Sequence, residues 1–144
     1  MRSLKLQRGF SLIELLFAIL IISVMSMISF AAFAGFGKTQ TVKTASADVV
    51  SLLQSARSQA LSQVKPAQCL NQPLEQYQVS FTVPGAAYAL EVVCSGTTYV
   101  LQQKTLPPQL SFSAGSASRI AFVVITGAAQ PSGIVTINGY GKTG

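Results

Sequence analysis

The amino-acid sequence predicts an α+β fold in which one long N-terminal helix packs on a small antiparallel β domain. Two observations predict it. Residues 10–36 form an apolar run, and residues 38–66 continue it with apolar residues at helical spacing. After Pro66 the chain changes to short alternating segments separated by turn residues. A helix followed by successive antiparallel strands is an α+β arrangement, and 144 residues leave room for one such domain.

The first predicted element is an apolar helix that follows a short basic segment. Residues 1–9 contain three basic side chains, whereas residues 10–37 contain one charged side chain, Glu14. An α-helix crosses a bilayer with about 20 apolar residues and pairs its own backbone groups there. Residues 10–37 are therefore predicted to be a transmembrane helix, and the basic residues before them favour a cytoplasmic N-terminus.

Glu14 is the residue of this run that needs an explanation. An ionisable side chain costs roughly 2–3 kcal/mol at mid-bilayer and usually marks a function.

An alternative hypothesis for the apolar run is a cleaved secretory signal. Ala32-Phe33-Ala34 fits the small-residue cleavage rule, and cleavage there would release a soluble binding domain after Ala34. The apolar run is longer than the roughly 7–15 residues of such a signal, and it would include Glu14.

The helix is predicted to continue through residues 38–66. Apolar residues recur there at steps of three and four, which is helical periodicity. Lys43, Asp48 and Arg57 fall on other faces, and Pro66 ends the pattern. We expect the apolar stripe to pack on the β domain; its members are Val42, Ala45, Val49, Leu52, Leu53, Ala56 and Ala60.

The β domain is predicted to occupy residues 67–144. Candidate strands are residues 77–83, 88–94, 99–103, 109–113, 120–125 and 134–138, separated by turn signals such as Pro84-Gly85 and Ser95-Gly96. The glycine-rich end, residues 139–144, lacks the spacing of a phosphate-binding loop and a following helix. It is predicted to be a flexible tail.

The composition argues against an enzyme. The chain has no histidine, which removes Ser–His and Cys–His pairs. Asp48, Glu75 and Glu91 are scattered and form no paired-carboxylate motif. With two cysteines and no histidine, neither a metal site nor a cofactor is predicted. No catalytic residue is proposed.

Cys69 and Cys94 are the two cysteines of the chain. In an exported domain an oxidising compartment permits a disulfide between them. Such a bond would stabilise a small sheet domain by about 3 kcal/mol in the chain-entropy model. Two separate buried thiols remain the alternative.

The N-terminal residues resemble the class III signal of type IV pilins and of the pseudopilins of type II secretion. The resemblance rests on the basic leader, on Gly9-Phe10 and on Glu14 in the following apolar helix. It implies that prepilin peptidase cleaves between Gly9 and Phe10 and that Phe10 is N-methylated. It implies a single-pass protein of the bacterial inner membrane with a periplasmic C-terminal domain. In filaments of this family, the amine of Phe10 would meet Glu14 of an adjacent subunit.

A second resemblance concerns residues 53–61 and Cys69, which look like the corresponding segment of H-type pseudopilins and FimT-like minor pilins. It implies a non-enzymatic minor subunit of a type II secretion pseudopilus or of a type IV pilus, with other pilins and an exported protein as partners. Some FimT-like pilins bind DNA through C-terminal arginines. Here that stretch offers Lys142, to which Lys104 and Arg119 could add, so DNA binding is the secondary hypothesis.

Overall fold

The computed structural model describes residues 11–143, with residues 27–34 and 142 described by their backbone alone. The chain divides into two compact units, Met1–Gly37 and Lys38–Gly144. The first described element is helix α1, Leu12–Ser62. It ends before Pro66, where the sequence pattern placed the end, because Gln63 adopts a left-handed conformation with φ of 51°. A left-handed residue directly after a helix stops the helical backbone.

The predicted apolar stripe of the helix is the face buried against the domain. Its buried members are Val42, Ala45, Val49, Leu52, Ala56 and Ala60, and Leu53 is half-buried. Lys43, Asp48 and Arg57 are exposed, as their spacing predicts.

Eight strands follow a short 3-10 helix, Ala67–Cys69. They are β1 (Leu74–Phe81), β2 (Ala87–Cys94), β3 (Thr97–Thr105), β4 (Leu110–Phe112), β5 (Arg119–Val123), β6 (Ala129–Gln130), β7 (Ile137–Gly139) and β8 (Lys142–Thr143). Each predicted strand overlaps one of them. The strands β6 and β8 have two residues each, too few to show a period of two in the sequence.

The strands form two antiparallel sheets. The larger sheet has the order β3-β2-β1-β5-β6, and the smaller has the order β4-β7-β8. The helix packs on the five-stranded sheet, which confirms the α+β, pilin-like fold class that the sequence predicts. Along β1, Tyr77, Val79 and Phe81 face this core, whereas Gln76, Gln78 and Ser80 face the other side of the sheet.

Phe112 connects the two sheets. Its side chain is 1% exposed, and its ring packs edge-on against Phe81 of β1 and Tyr88 of β2, with ring centroids 5.1 and 5.9 Å apart. The N–H of Phe112 also donates a hydrogen bond to the carbonyl of Gly85 at 2.7 Å. The small sheet is therefore held to the large one through a shared aromatic cluster.

The glycine-rich end of the chain differs from the predicted flexible tail. Asn138 pairs with Thr143 and Gly139 pairs with Lys142, so β7 and β8 form a hairpin. Both loop residues, Tyr140 and Gly141, have positive φ angles of 52° and 68°. This is the type I′ geometry that suits a two-residue hairpin.

Ile125 holds an unfavourable backbone conformation in the turn between β5 and β6. Its φ is 77°, its side chain is 70% exposed, and its N–H donates to the carbonyl of Ala60. A left-handed conformation costs a residue with a branched Cβ about 1–2 kcal/mol, whereas asparagine tolerates it. Little burial is available to offset this cost.

We therefore expect Ile125→Asn to raise the free energy of unfolding by about 1 kcal/mol, because it relieves this strain. Urea unfolding would measure the change. Ile125→Val is the matched control, since valine is also branched at Cβ and should bring no gain. A destabilised asparagine variant would contradict the prediction.

Candidate assembly site and the outer face of the sheet

The start of helix α1 places Glu14 in its first turn. The carbonyl of Ser11 accepts hydrogen bonds from the N–H groups of Glu14 and Leu15 at 3.0 and 3.2 Å. Ser11 is thus the residue before the helix and Glu14 is its third residue, the spacing of a capping box. The positive end of the helix dipole favours an anion here by about 0.3–1 kcal/mol. This role of the Ser-x-x-Glu spacing was not predicted from the sequence.

The helix surface that follows Glu14 is apolar and uncovered. The large apolar side chains from Leu12 to Met25 are 54–85% exposed. The hydroxyls of Ser23 and Ser26 donate to the carbonyls of Leu20 and Ile22, both at 2.8 Å. The serines thus satisfy their hydrogen bonds within the helix. An apolar surface of this extent typically marks contact with lipid or with protein.

Within the described part of the chain, no helix combines the length and the apolar character that crossing a membrane requires. The predicted membrane helix, residues 10–37, includes Phe10 and residues 27–34, whose side chains lie outside the described set. It therefore stays a prediction. The cleavage site between Gly9 and Phe10 and the predicted methylation of Phe10 also lie outside the described residues.

A disulfide joins Cys69 to Cys94, with the two Cα atoms 5.7 Å apart. Cys69 ends the 3-10 helix after α1, Cys94 ends β2, and both are fully buried. The hydroxyl of Tyr77 donates to the carbonyl of Val64 in the same region. The segment that leaves the helix is thus attached to the sheet by a covalent bond and by a partly buried hydrogen bond.

Replacing both Cys69 and Cys94 by alanine is expected to lower the free energy of unfolding by about 3 kcal/mol, because the unfolded chain loses a loop constraint. Urea unfolding with and without reductant would measure this. The reductant should destabilise the unmodified protein and leave the double variant unchanged. In the unmodified protein, alkylation after unreduced denaturation should label neither thiol; labelling of both would contradict the bond.

The outer face of the large sheet carries a polar network centred on Glu91. Its two carboxylate oxygens accept hydrogen bonds from Nε2 of Gln78 at 2.6 Å and from Oγ of Ser80 at 2.7 Å. Gln78 is 5% exposed, and its Oε1 accepts a hydrogen bond from Nε2 of Gln76 at 3.3 Å. Glu91 also lines a shallow cavity of about 230 Å³ with Val100 and other residues of this face. Hydrogen bonds to a carboxylate are strong, so the network fixes these side chains.

In the sequence Glu91 is one of three scattered acids, and this network was not predicted. The alternation of Gln76, Gln78 and Ser80 with apolar residues was the available signal. Their contact with Glu91 depends on the register of β1 with β2, in which Gln78 lies directly opposite Glu91. A single carboxylate between amide and hydroxyl groups orients its neighbours and provides no pair for acid–base catalysis.

The residues considered for DNA contact are not brought together on one face. Lys104 lies opposite Tyr88, whose side chain is in the core, whereas Arg119 lies opposite Ser80 on the outer face. Directly paired residues share a face, so Lys104 and Arg119 are on opposite faces of the sheet. Lys142 lies in β8, in the other sheet.

Two tyrosines of the core have perturbed acidity. Burial raises the pKa of Tyr77, and burial together with the negative charge of Asp48 raises the pKa of Tyr88. A raised pKa keeps each phenol neutral to a higher pH than in the unfolded chain. The two buried phenols therefore contribute fully to the stability of the fold below about pH 10, the ordinary tyrosine pKa. This contribution is lost as the pH rises through their raised pKa in the folded protein. At neutral pH, Tyr77 therefore remains a hydrogen-bond donor to Val64.

The N-terminal part of the chain matches a known family. Residues 4–30 match the family described as the prokaryotic N-terminal methylation motif. No curated protein and no solved structure matches the chain. The matched segment contains Gly9, Phe10 and Glu14 and extends into helix α1. It supports a type IV pilin-like signal, and with it a structural subunit that interacts with other pilins and with prepilin peptidase.

Proposed function

We propose that this chain is a minor pseudopilin or minor pilin, a non-enzymatic subunit of a type II secretion pseudopilus or of a type IV pilus. Before assembly it is anchored in the bacterial inner membrane by residues 10–37, with the β domain in the periplasm. The observation that carries the proposal is the methylation motif of residues 4–30, whose acid, Glu14, lies in the first turn of a long helix.

Three features of the described residues support an assembly role. The apolar side chains after Glu14 are exposed, as a surface that packs against lipid or neighbouring helices would be. The buried hydrophobic core of the domain begins at Val42 of the helix. A disulfide joins the cysteines, as expected for a domain exposed to an oxidising compartment.

The β domain supplies contacts with neighbouring subunits or with an exported protein. Its outer face carries a hydrogen-bonded network of Gln76, Gln78, Ser80 and Glu91. DNA capture is not favoured, since the cations Lys104 and Arg119 lie on opposite faces of the sheet, and affinity for phosphates grows with the number of cationic contacts.

The test of this function is the mature N-terminus. Mass spectrometry of the protein from cells with prepilin peptidase should find N-methylphenylalanine at Phe10. Gly9→Lys should abolish cleavage, because a bulky charged side chain replaces the residue at the cut. Gly9→Ala is the matched control and should still be processed. A mature N-terminus at Gly35 would instead support a secreted domain released after Ala34 and would overturn the pilin proposal.

A further inference from the structure

The two edges of the large sheet differ. β6 is an edge of two residues, and Pro131, which has no N–H to donate, follows it directly. β3 is an edge of nine residues, Thr97–Thr105, and among the described strands it pairs with β2 alone. A long uncovered edge offers a row of backbone donors and acceptors to another strand.

The hairpin between β2 and β3 determines which backbone groups of β3 are available. Ser95 and Gly96 have φ angles of 47° and 76°, a type I′ turn that Cys94 and Thr97 close. The closing pair of such a turn exchanges hydrogen bonds, and every second residue after it points its backbone groups outwards. Thr98 and Val100 are these residues. Within the described part of the chain, no backbone group bonds to them from the outer side.

The side chains of this edge suit pairing with a copy of itself. Residues 97–103 carry no charge, and Val100 is 56% exposed. In an antiparallel alignment centred on Val100, the extra residue after Val100 places Thr98 opposite Gln103 and Lys104 opposite Thr97. Like charges therefore do not meet, and pairs involving β-branched residues stabilise a sheet. Because the edge is uncharged, it also does not favour pairing with a charged segment of another protein.

We propose that β3 pairs in antiparallel fashion with β3 of a second copy of this chain, with Val100 opposite Val100, so that the sheet continues from one subunit into the next. The bulge between β2 and β3 after Val100 leaves the first half of β3 as the regular part of the edge. The pairing concerns the β domain and does not depend on the proposed filament function.

Cysteine cross-linking in the full-length protein in membranes tests this pairing. The native cysteines are already bonded to each other, so Val100→Cys supplies a single free thiol. Mild oxidation should convert most of this variant to a disulfide-linked dimer on a non-reducing gel. Gln130→Cys, on the opposite exposed edge, is the matched control for random collision and should cross-link at least about tenfold less.

A second substitution separates backbone pairing from simple proximity. Thr98→Pro removes an outward N–H without removing a bond to β2, and it should abolish the cross-link of Val100→Cys. Thr98→Ala keeps the N–H and should preserve the cross-link. Unchanged resistance to limited proteolysis would show that the variants are folded. Equal cross-linking of Val100→Cys and Gln130→Cys, or a cross-link insensitive to Thr98→Pro, would overturn the proposal in favour of another occupant or none.

Discussion

Replacement of Glu14 by leucine is expected to remove the protein from filaments while leaving it in the membrane. Loss of a charge from an apolar helix favours insertion. Loss of the carboxylate deprives the amine of processed Phe10 of its proposed partner in the adjacent subunit. Opposite charges about 4 Å apart attract by roughly 4 kcal/mol at an effective dielectric near 20, and desolvation offsets part of this.

The expected loss of incorporation is at least tenfold, since about 1.4 kcal/mol corresponds to a factor of ten. Cross-linking to other pilins in cells would measure it, and membrane fractionation would confirm insertion. Glu14→Gln is the matched control for helix capping, because glutamine also serves at the third position of a capping box. If charge pairing is the cause, the glutamine variant fails as the leucine variant does. Normal incorporation of Glu14→Leu would contradict an assembly role for the acid.

Phe112→Ala is expected to lower the free energy of unfolding of the β domain by about 3–5 kcal/mol, the range for truncating a buried phenylalanine. The change removes the ring that packs against Phe81 and Tyr88. It leaves a cavity between the two sheets, and aromatic pairs contribute beyond their buried area. The loss is a large fraction of the stability of an ordinary small domain.

Urea unfolding would measure this loss, and limited proteolysis should show cleavage in the small sheet first. Phe112→Leu fills part of the cavity and should cost less, about 1–2 kcal/mol. Ile134→Ala is the surface control, because Ile134 is 79% exposed and should change stability little. A loss below about 1 kcal/mol for Phe112→Ala would show that the ring does not hold the sheets together.

The sequence predicted those parts of the fold whose signal is local and periodic. The helix stripe from Val42 to Ala60 repeats at three and four residues, so all its buried positions were predicted; the remaining predicted position, Leu53, is half-buried. The strands β1 and β2 alternate or are apolar over eight residues each. Two-residue strands contain no period, and β6 and β8 were missed for that reason.

The features that were not predicted depend on contacts between residues far apart in the sequence or on uncommon backbone conformations. Gln78 meets Glu91 because the two residues lie directly opposite each other in the register of β1 with β2, and strand register is not visible in composition. The hairpin at the end of the chain turns at Tyr140-Gly141. Tyrosine is uncommon at positive φ, so the sequence did not indicate a turn at Tyr140. The glycines around it were therefore interpreted as a flexible tail. Of the proposed assembly site, Glu14 stood out because a lone charge interrupts an apolar run.

The disulfide has a mechanical consequence for a subunit that is pulled along its chain. Force that enters through the helix reaches Cys69 soon after the helix ends, and from there it passes directly to Cys94. The two cysteines are 25 positions apart, and the chain between them, which includes β1 and most of β2, lies inside a covalent ring. Unfolding under tension would therefore release about 85 Å less contour length than in a chain without the bond. Stretching would have to begin elsewhere, in the strands that follow Cys94.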